Sequence, residues 1–171
     1  MHDRTAEAFD EFYRHTHGAV VGVALAMVGD VETARDLAQE AMLRALRDWR
    51  RVSRLERPDM WVRRVAVNLA IDVRRRRVRE IRELQRRALV DDPASTAGTD
   101  AVEQSRLWQA VRALPDRQHA AVVLRYVDDL SVPEIALVLD VAEGTIKATL
   151  SQARASLARR LADSVEVDAD G

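Results

Sequence analysis

The sequence predicts an all-α protein, and three observations support that prediction. Good helix formers, namely alanine, leucine, arginine and glutamate, recur through the 171 residues, which include only four prolines. Apolar residues return every three or four positions, as they do along one side of a helix. A small, polar and acidic stretch at residues 91–100 interrupts this pattern. We therefore expect two small helical domains joined by a flexible linker.

The first two helices follow from their apolar faces and from the residues between them. Residues 6–27 predict the first helix, and its expected core residues are Phe9, Phe12, Tyr13, Val20 and Leu25. Gly29 is suited to end this helix, and Asp30 is suited to cap the next one, over residues 31–49. The expected core residues of this second helix are Ala34, Leu37, Ala38, Ala41, Met42 and Ala45.

An acidic strip lies away from the predicted core of the second helix. It consists of Asp36, Gln39 and Glu40, with Leu43 beside it. Periodicity alone does not separate a plain solvent-exposed face from a docking patch for a partner.

A basic segment follows the second helix. Trp49 precedes a basic loop over residues 50–57, and Pro58 is well placed in the first turn of a third helix that continues to about residue 88. The predicted packing face of the third helix comprises Val62, Val65, Ala66, Leu69 and Val73. A tryptophan beside cations suits single-stranded nucleic acid, although a lone tryptophan near a helix end is more often part of a core.

The charge is segregated along the chain although the formal net charge is only −1. Residues 44–87 hold sixteen arginines against six acids, whereas residues 1–43 and 88–171 are acidic. A concentrated basic block is the expected feature of a surface that binds a polyanion. The alternative is a solvated helical face that pairs with the chain's own acids.

The C-terminal segments predict a helix-turn-helix. A helix over residues 102–114 is stopped by Pro115, and Asp116 can cap a helix that runs to about residue 127. Ser131 and Glu134 have capping-box spacing for a short helix over residues 132–139. A three-residue turn then leads to a longer helix over residues 143–162. We expect domains at residues 1–88 and 104–162, a linker at 89–103 and an acidic tail, taken as disordered, at 163–171.

Composition excludes several functional classes. The absence of cysteine rules out disulfides, thiolate catalysis and cysteine-ligated zinc, and the four histidines are not spaced as a metal site. We find no convergent catalytic set, phosphate loop, membrane-spanning run or secretory leader. The expected protein is cytoplasmic, without cofactor, metal or catalytic activity.

Two sets of motifs resemble one known family. The first is similar to region 2 of bacterial sigma factors of the extracytoplasmic-function (ECF) group and comprises Asp36 to Glu40, Arg57-Pro58, Trp61 and Val65 to Asp72. The second is similar to region 4 and comprises Leu114 to Gln118, Val123 to Tyr126, Leu130-Ser131, Glu134 to Ala136 and Glu143 to Lys147. Both sets occur on one chain in the family's order, separated by a linker of suitable length.

The resemblance implies promoter-specific initiation of transcription with core RNA polymerase. It assigns core binding to Asp36, Gln39 and Glu40. It assigns the −10 element to Trp49, Arg50, Arg51, Arg54, Arg63, Arg64, Asn68, Arg74, Arg75, Arg76 and Arg77. It assigns the −35 element to Glu143, Thr145, Lys147, Ala148, Thr149, Ser151, Gln152 and Arg154. It also implies control by an anti-sigma factor. The alternative function is a helix-turn-helix regulator that acts without core polymerase.

The chain departs from the family's pattern in the helix-turn-helix. Asp140 stands where the family usually has glycine in the turn, and aspartate adopts a left-handed backbone more readily than most residues. Ala142 stands at the capping position of the last helix, so this helix should lack about 1 kcal/mol of stabilisation that a capping side chain would provide. Ala148, Thr149 and Gln152 replace common serine and arginine residues, so the −35 preference cannot be taken from the family.

Overall fold

A computed structural model describes the backbone of residues 2–88 and 102–169 and the side chains of residues 6–86 and 106–162. The described residues form eight helices and no strand, which confirms the all-α prediction. The helices are α1 (His2–Val28), α2 (Val31–Arg47), α3 (Trp49–Val52), α4 (Pro58–Ala88), α5 (Val102–Arg112), α6 (Asp116–Tyr126), α7 (Val132–Leu139) and α8 (Glu143–Ala169). We refer to α1–α4 as the N-terminal half and to α5–α8 as the C-terminal half.

The turn between α1 and α2 forms as predicted. Gly29 has a positive φ of 74°, and the Asp30 carboxylate accepts a hydrogen bond of 2.8 Å from the Thr33 backbone N–H. All six predicted core residues of α2 are buried. Two predictions for α1 are wrong, because Tyr13 and Leu25 are exposed while Phe9 and Val20 are buried.

The long helix α4 begins at Pro58 and reaches Ala88, as predicted. It packs against α1 and α2 on one side and against α7 on the other. Because two layers cover it, its buried surface is wider than one stripe, and Val67 and Ala70 join Val62 and Ala66 in the core. Val65, Leu69 and Val73 are half-buried and pack against the two hydrophobic clusters, which confirms the predicted packing face of α4.

The helix-turn-helix is formed by α7, the turn at residues 140–142, and α8. The Ser131 hydroxyl and the Glu134 carboxylate complete the predicted capping box at the start of α7. Asp140 ends α7 in the left-handed conformation, with φ 56° and ψ 51°. Asp116 does not cap α6 as predicted, because Pro115 occupies the capping position.

One hydrophobic cluster spans both halves of the chain. It joins residues at the end of α1, such as Met27 and Val28, to residues of α6, such as Ala120 and Val123. A second cluster lies within the N-terminal half, around Phe9, Val20 and Trp49. The two halves therefore share buried apolar surface in this structure.

Three further predictions concern the ends of the segments and the membrane. Helix α8 continues to Ala169, beyond the expected end at residue 162, so the prediction of a disordered tail is wrong for residues 163–169. Most of the predicted linker lies outside the described residues. No helix in the described part of the chain is long and apolar enough to cross a membrane.

Candidate nucleic-acid interface

The arginines of α4 point in several directions around the helix. Successive residues of an α-helix are about 100° apart, since a turn contains 3.6 residues. The four consecutive arginines at positions 74–77 therefore cannot all face one ligand. Of these four, Arg75 and Arg76 are exposed, whereas Arg74 and Arg77 are turned toward the protein.

Arg63 lies in a buried ion pair with the C-terminal half. Its guanidinium donates two hydrogen bonds to the Asp128 carboxylate, from Nε to Oδ2 and, at 3.3 Å, from Nη2 to Oδ1. The two side chains are only 11% and 7% exposed. Arg63 also lies 3.4 Å from the Asp59 carboxylate, one turn earlier on α4, so it holds two carboxylates. Removal of Arg63 alone would leave the buried Asp128 carboxylate without this bidentate partner.

Arg64 and Arg57 contact the helix-turn-helix itself. Arg64 donates to the Leu137 carbonyl oxygen at 2.6 Å and to the Asp140 carboxylate at 3.3 Å. Arg57 donates to the Glu134 carboxylate at 3.0 Å. The backbone and hydroxyl of Ser131, followed by Arg57, lower the pKa of Glu134 to about 2, because these donors stabilise its charged form.

Arg74, Arg75 and Arg77 are also bonded within the chain. Arg74 and Arg75 share the Asp116 carboxylate, at 3.3 and 2.9 Å. Arg77 donates to the Val28 carbonyl oxygen at 2.8 Å and to the Thr33 hydroxyl at 3.1 Å, so it stabilises the turn between α1 and α2. Three of the four arginines at positions 74–77 therefore pair with the chain's own groups, as the alternative interpretation expects. Their assignment to the −10 element stays a prediction.

Three predicted DNA-binding arginines remain open to a ligand. Arg50, Arg54 and Arg76 are exposed and form no ion pair within the described residues. Arg51 is exposed as well, and its guanidinium lies 5.9 Å from the centroid of the Trp61 ring, in a cation–π arrangement. We refer to these four exposed arginines, with exposed Asn68 on α4, as the accessible basic surface of the N-terminal half.

Trp49 does not have the accessible position that a stacking role requires. Its side chain is 8% exposed, and its ring packs edge-on against Phe9 and close to Phe12, with ring centroids 5.1 and 5.0 Å apart. The alternative of a core tryptophan is therefore correct. Trp61 is half-buried and lies on the first turn of α4, beside the basic loop, so it is an accessible aromatic residue at this surface. Its proximity to the loop in the sequence is the signal that could have identified it.

The acidic strip of α2 is exposed, as its pattern predicts. Asp36 and Gln39 are exposed and Glu40 is half-buried, with exposed Leu43 on the same side. Glu40 accepts a hydrogen bond of 2.8 Å from Arg44, one turn away, and this bond lowers the pKa of Glu40. The strip thus presents acceptors and an apolar side chain together.

The start of α8 also presents a polar face. Ile146, Leu150 and Ala153 bury one side of the helix. The predicted reading residues are exposed except for half-buried Thr149, and they are Glu143, Thr145, Lys147, Ala148, Thr149, Ser151, Gln152 and Arg154. The helix-turn-helix therefore leaves the first turns of its second helix accessible, as entry into a major groove requires.

His119 is a buried titratable residue to which the sequence assigns no role. It lies on α6, fully buried, and α6 packs against α1. Burial, followed by the nearby Arg74 cation, lowers the pKa of His119 to about 4, so the ring is neutral at pH 7. No signal in the sequence distinguishes it from a surface histidine.

Comparison with known proteins gives matches over both halves. Residues 12–80 match the family model for sigma-70 region 2, and residues 104–157 match that for sigma-70, region 4. The ECF RNA polymerase sigma factor SigM of Mycobacterium tuberculosis is 33% identical over 155 residues, which cover 90% of this chain and 77% of SigM. The RNA polymerase sigma-E factor of Streptomyces coelicolor is 29% identical over 153 residues, covering 90% of this chain and 85% of that factor.

Solved structures show a similar fold. The sigma factor RpoE of Bartonella quintana, determined in complex with the anti-sigma factor NepR, aligns with a TM-score of 0.68 at 21% identity, covering 91% of this chain and 97% of RpoE. CnrH, determined in complex with the cytosolic domain of CnrY, aligns with a TM-score of 0.63 at 20% identity, covering 97% of this chain and 91% of CnrH.

Proposed function

The chain belongs to the ECF group of sigma-70 factors, and we propose that its N-terminal half binds the −10 promoter element through the exposed basic surface beside Trp61. As a member of this family it is an alternative sigma factor that directs transcription. Sigma factors are not catalysts, so the contribution we assign to the chain is binding and strand capture. Its partners are core RNA polymerase and promoter DNA.

The accessible cations of the N-terminal half carry the −10 assignment. Arg50, Arg51 and Arg54 lie in or beside the basic loop, and Arg76 lies farther along α4. Opening a duplex requires bases that leave the stack and are then held, and an aromatic ring beside guanidinium groups suits both tasks. We assign the stacking role to Trp61, because it is accessible, and leave Trp49 in the core.

The other two surfaces complete the proposal. The acidic strip of Asp36, Gln39 and Glu40 is the docking site for core polymerase, since it is exposed and combines acceptors with a neighbouring apolar residue. The exposed first turns of α8 read the −35 element in the major groove, where Gln152 can address adenine and the Thr149 methyl can contact thymine. We place the domain boundaries at residues 1–88 and 104–162 and the protein in the cytoplasm.

A protein regulator is also proposed for this chain. The neighbour RpoE was determined with an anti-sigma factor, and the accessible surfaces described above offer such a partner both a basic and an acidic face. We expect an anti-sigma factor to cover the core-binding and DNA-binding faces.

Transcription with purified components tests the function. Core polymerase with the chain, incubated over genomic DNA fragments, should give transcripts with defined starts, and core polymerase alone should not. Sequencing those transcripts would identify the promoters. A chain that binds a specific duplex tightly alone, but gives no promoter-dependent transcript with core polymerase, would instead be a helix-turn-helix regulator.

A further inference from the structure

A basic cleft lies between α4 and the turn that joins α5 to α6. Its volume is about 920 Å³, which is the size of a pocket that holds a small ligand. Two aspartates line it, Asp72 and Asp116, and its other charged lining residues are six arginines: Arg74, Arg75, Arg76, Arg79, Arg82 and Arg112. The remaining lining residues are apolar. The cleft therefore carries a clear excess of positive charge.

Arg74 holds the two walls of this cleft together. Its guanidinium donates to the Arg112 carbonyl oxygen, at the end of α5, at 3.0 Å, and it lies 3.3 Å from the Asp116 carboxylate, at the start of α6. Arg75 binds the other oxygen of the same carboxylate at 2.9 Å. Asp116 thus offsets the charge of these two arginines, and the position of the α5–α6 turn against α4 is set by these bonds.

The other four arginines of the cleft are not neutralised in this way. Arg76, Arg79 and Arg82 are exposed on α4 and form no ion pair within residues 6–86 and 106–162. Arg112 is exposed on α5, and its Nε donates to the Trp108 carbonyl oxygen at 3.3 Å, which leaves both Nη groups without a hydrogen bond in that part of the chain. Asp72, exposed on α4, offsets one of the four charges.

The spacing of these cations indicates what they can bind. Arg75, Arg79 and Arg82 are four and three residues apart, so they share one side of α4 over a length of about 10 Å. Arg112 lines the cleft from the other wall. Like charges around one volume repel each other, and apolar walls concentrate their potential. A ligand with several negative charges within this length would offset the repulsion.

Linked phosphates fit this arrangement of guanidinium groups. The planar fork of an arginine donates two parallel hydrogen bonds to phosphate oxygens, and several arginines can bind successive phosphates of one chain. In this cleft the cations converge from two elements on a single volume instead of following one line along the surface. The geometry therefore favours a compact anion over a continuous nucleic-acid strand.

We propose that the cleft binds a compact anion with linked phosphates, the group shared by nucleoside triphosphates and inorganic tripolyphosphate, through Arg79 and Arg82 on α4 and Arg112 on α5. These three arginines are not among the promoter-binding or polymerase-binding residues assigned above. Because the two walls belong to the two halves of the chain, the bound anion bridges them. Its binding stabilises the folded chain by an amount that increases with the ligand concentration.

Calorimetric titration of the full chain with sodium tripolyphosphate, at constant ionic strength, tests this proposal. Arg79→Gln with Arg112→Gln removes one cation from each wall of the cleft. Arg35→Gln with Arg47→Gln is the matched control, because it removes two exposed arginines of α2 that form no ion pair within the described part of the chain. Circular dichroism checks that each variant folds.

We expect the cleft variant to bind tripolyphosphate at least about tenfold more weakly than the parent, since it lacks two charge-assisted contacts. The control variant should retain the parent's affinity. Titration with adenosine triphosphate distinguishes the two sources of the ligand. Tighter binding of adenosine triphosphate would assign the cleft to nucleotides, and equal or tighter binding of tripolyphosphate would assign it to the phosphate chain alone; either result supports the proposal.

Four outcomes would overturn the proposal. They are no binding of tripolyphosphate by the parent, equal weakening in both double variants, which would reduce the effect to net charge, and binding of sulfate as tightly as tripolyphosphate, which would indicate an adventitious ion only. The fourth is displacement of tripolyphosphate by a 20-nucleotide single strand whose own affinity falls equally in the cleft variant, which would make the cleft part of a nucleic-acid track. If the double variant does not fold, Arg79→Gln against Arg35→Gln gives the same comparison. Transcription with core polymerase tests the proposed function separately.

Discussion

Burial of His119 gives a pH dependence that can be calculated. The pKa is about 4 in the folded chain against 6.5 for an ordinary histidine, so the unfolded chain binds more protons between these pH values. The contribution of neutral His119 to the free energy of unfolding is therefore fully present above pH 6.5, and it decreases as the pH falls toward 4. At pH 5 the loss relative to pH 7.5 is about 2 kcal/mol from this residue.

Urea unfolding followed by tryptophan fluorescence measures this loss. His119→Leu removes the titrating group while keeping an apolar side chain of similar size, so the variant should lose about 2 kcal/mol less than the parent between pH 7.5 and 5. Its absolute stability does not matter, because only the pH dependence is compared. His15→Gln, at an exposed position of α1, is the matched control for the loss of one histidine.

The same pH dependence in His119→Leu and in the parent would contradict this prediction. It would mean that the ring is not held neutral by burial between α6 and α1, and that protonation costs the folded chain nothing. The lowered pKa of Glu134 does not affect this comparison. Its contribution to stability is lost mainly as the pH falls below the usual pKa of a glutamate, and it is the same in all three proteins.

Three further predictions concern the surfaces and the helix-turn-helix. Alanine at all three positions of the acidic strip should weaken co-purification with core polymerase and leave the circular dichroism unchanged; undiminished recovery would remove the docking assignment. Glutamine at Arg50, Arg54 and Arg76 should lower holoenzyme affinity for every promoter and flatten its salt dependence by about one unit of slope for each phosphate that is no longer neutralised. Arg14→Gln, on α1, should leave that slope unchanged, and a slope equal to the parent's in the triple variant would contradict the assignment. Ser131→Ala should lower the free energy of unfolding in urea by about 1 kcal/mol, because it removes the capping box. An unchanged unfolding midpoint would show that the cap contributes nothing.

Local features of the fold could be predicted from the sequence because neighbouring residues determine them. Gly29 and Asp30 define the turn after α1, Pro58 starts α4, and Ser131 with Glu134 starts α7. Each depends on backbone preferences or on hydrogen bonds over three or four residues. The all-α class follows from the same local preferences.

The pairing of the α4 arginines could not be predicted, because it depends on residues far away in the chain. Arg63 and Asp128 are 65 positions apart, and Arg74 and Asp116 are 42 apart. Charge segregation indicated a basic surface near acidic segments, but it could not show which carboxylate meets which arginine. The same limit applies to His119, whose burial depends on how α1 packs against α6.

Trp49 and Trp61 show how tertiary contacts overturn an interpretation based on local sequence. Both flank the basic loop in sequence, and either could stack on a base. The aromatic cluster of Phe9 and Phe12 on α1 takes Trp49 into the core, whereas Trp61 remains partly accessible beside Arg51. Contacts made by α1, more than thirty residues earlier, decide between them.

Crosslinking from α4 in the transcription complex tests whether this helix lies along the −10 DNA. A photoreactive amino acid at Asn68, which is exposed on α4, should crosslink to the −10 region of promoter DNA. The crosslink should form when core polymerase is present and should be absent with the chain alone. A crosslink of equal yield without core polymerase, or none to −10 DNA in a complex that makes transcripts, would contradict it.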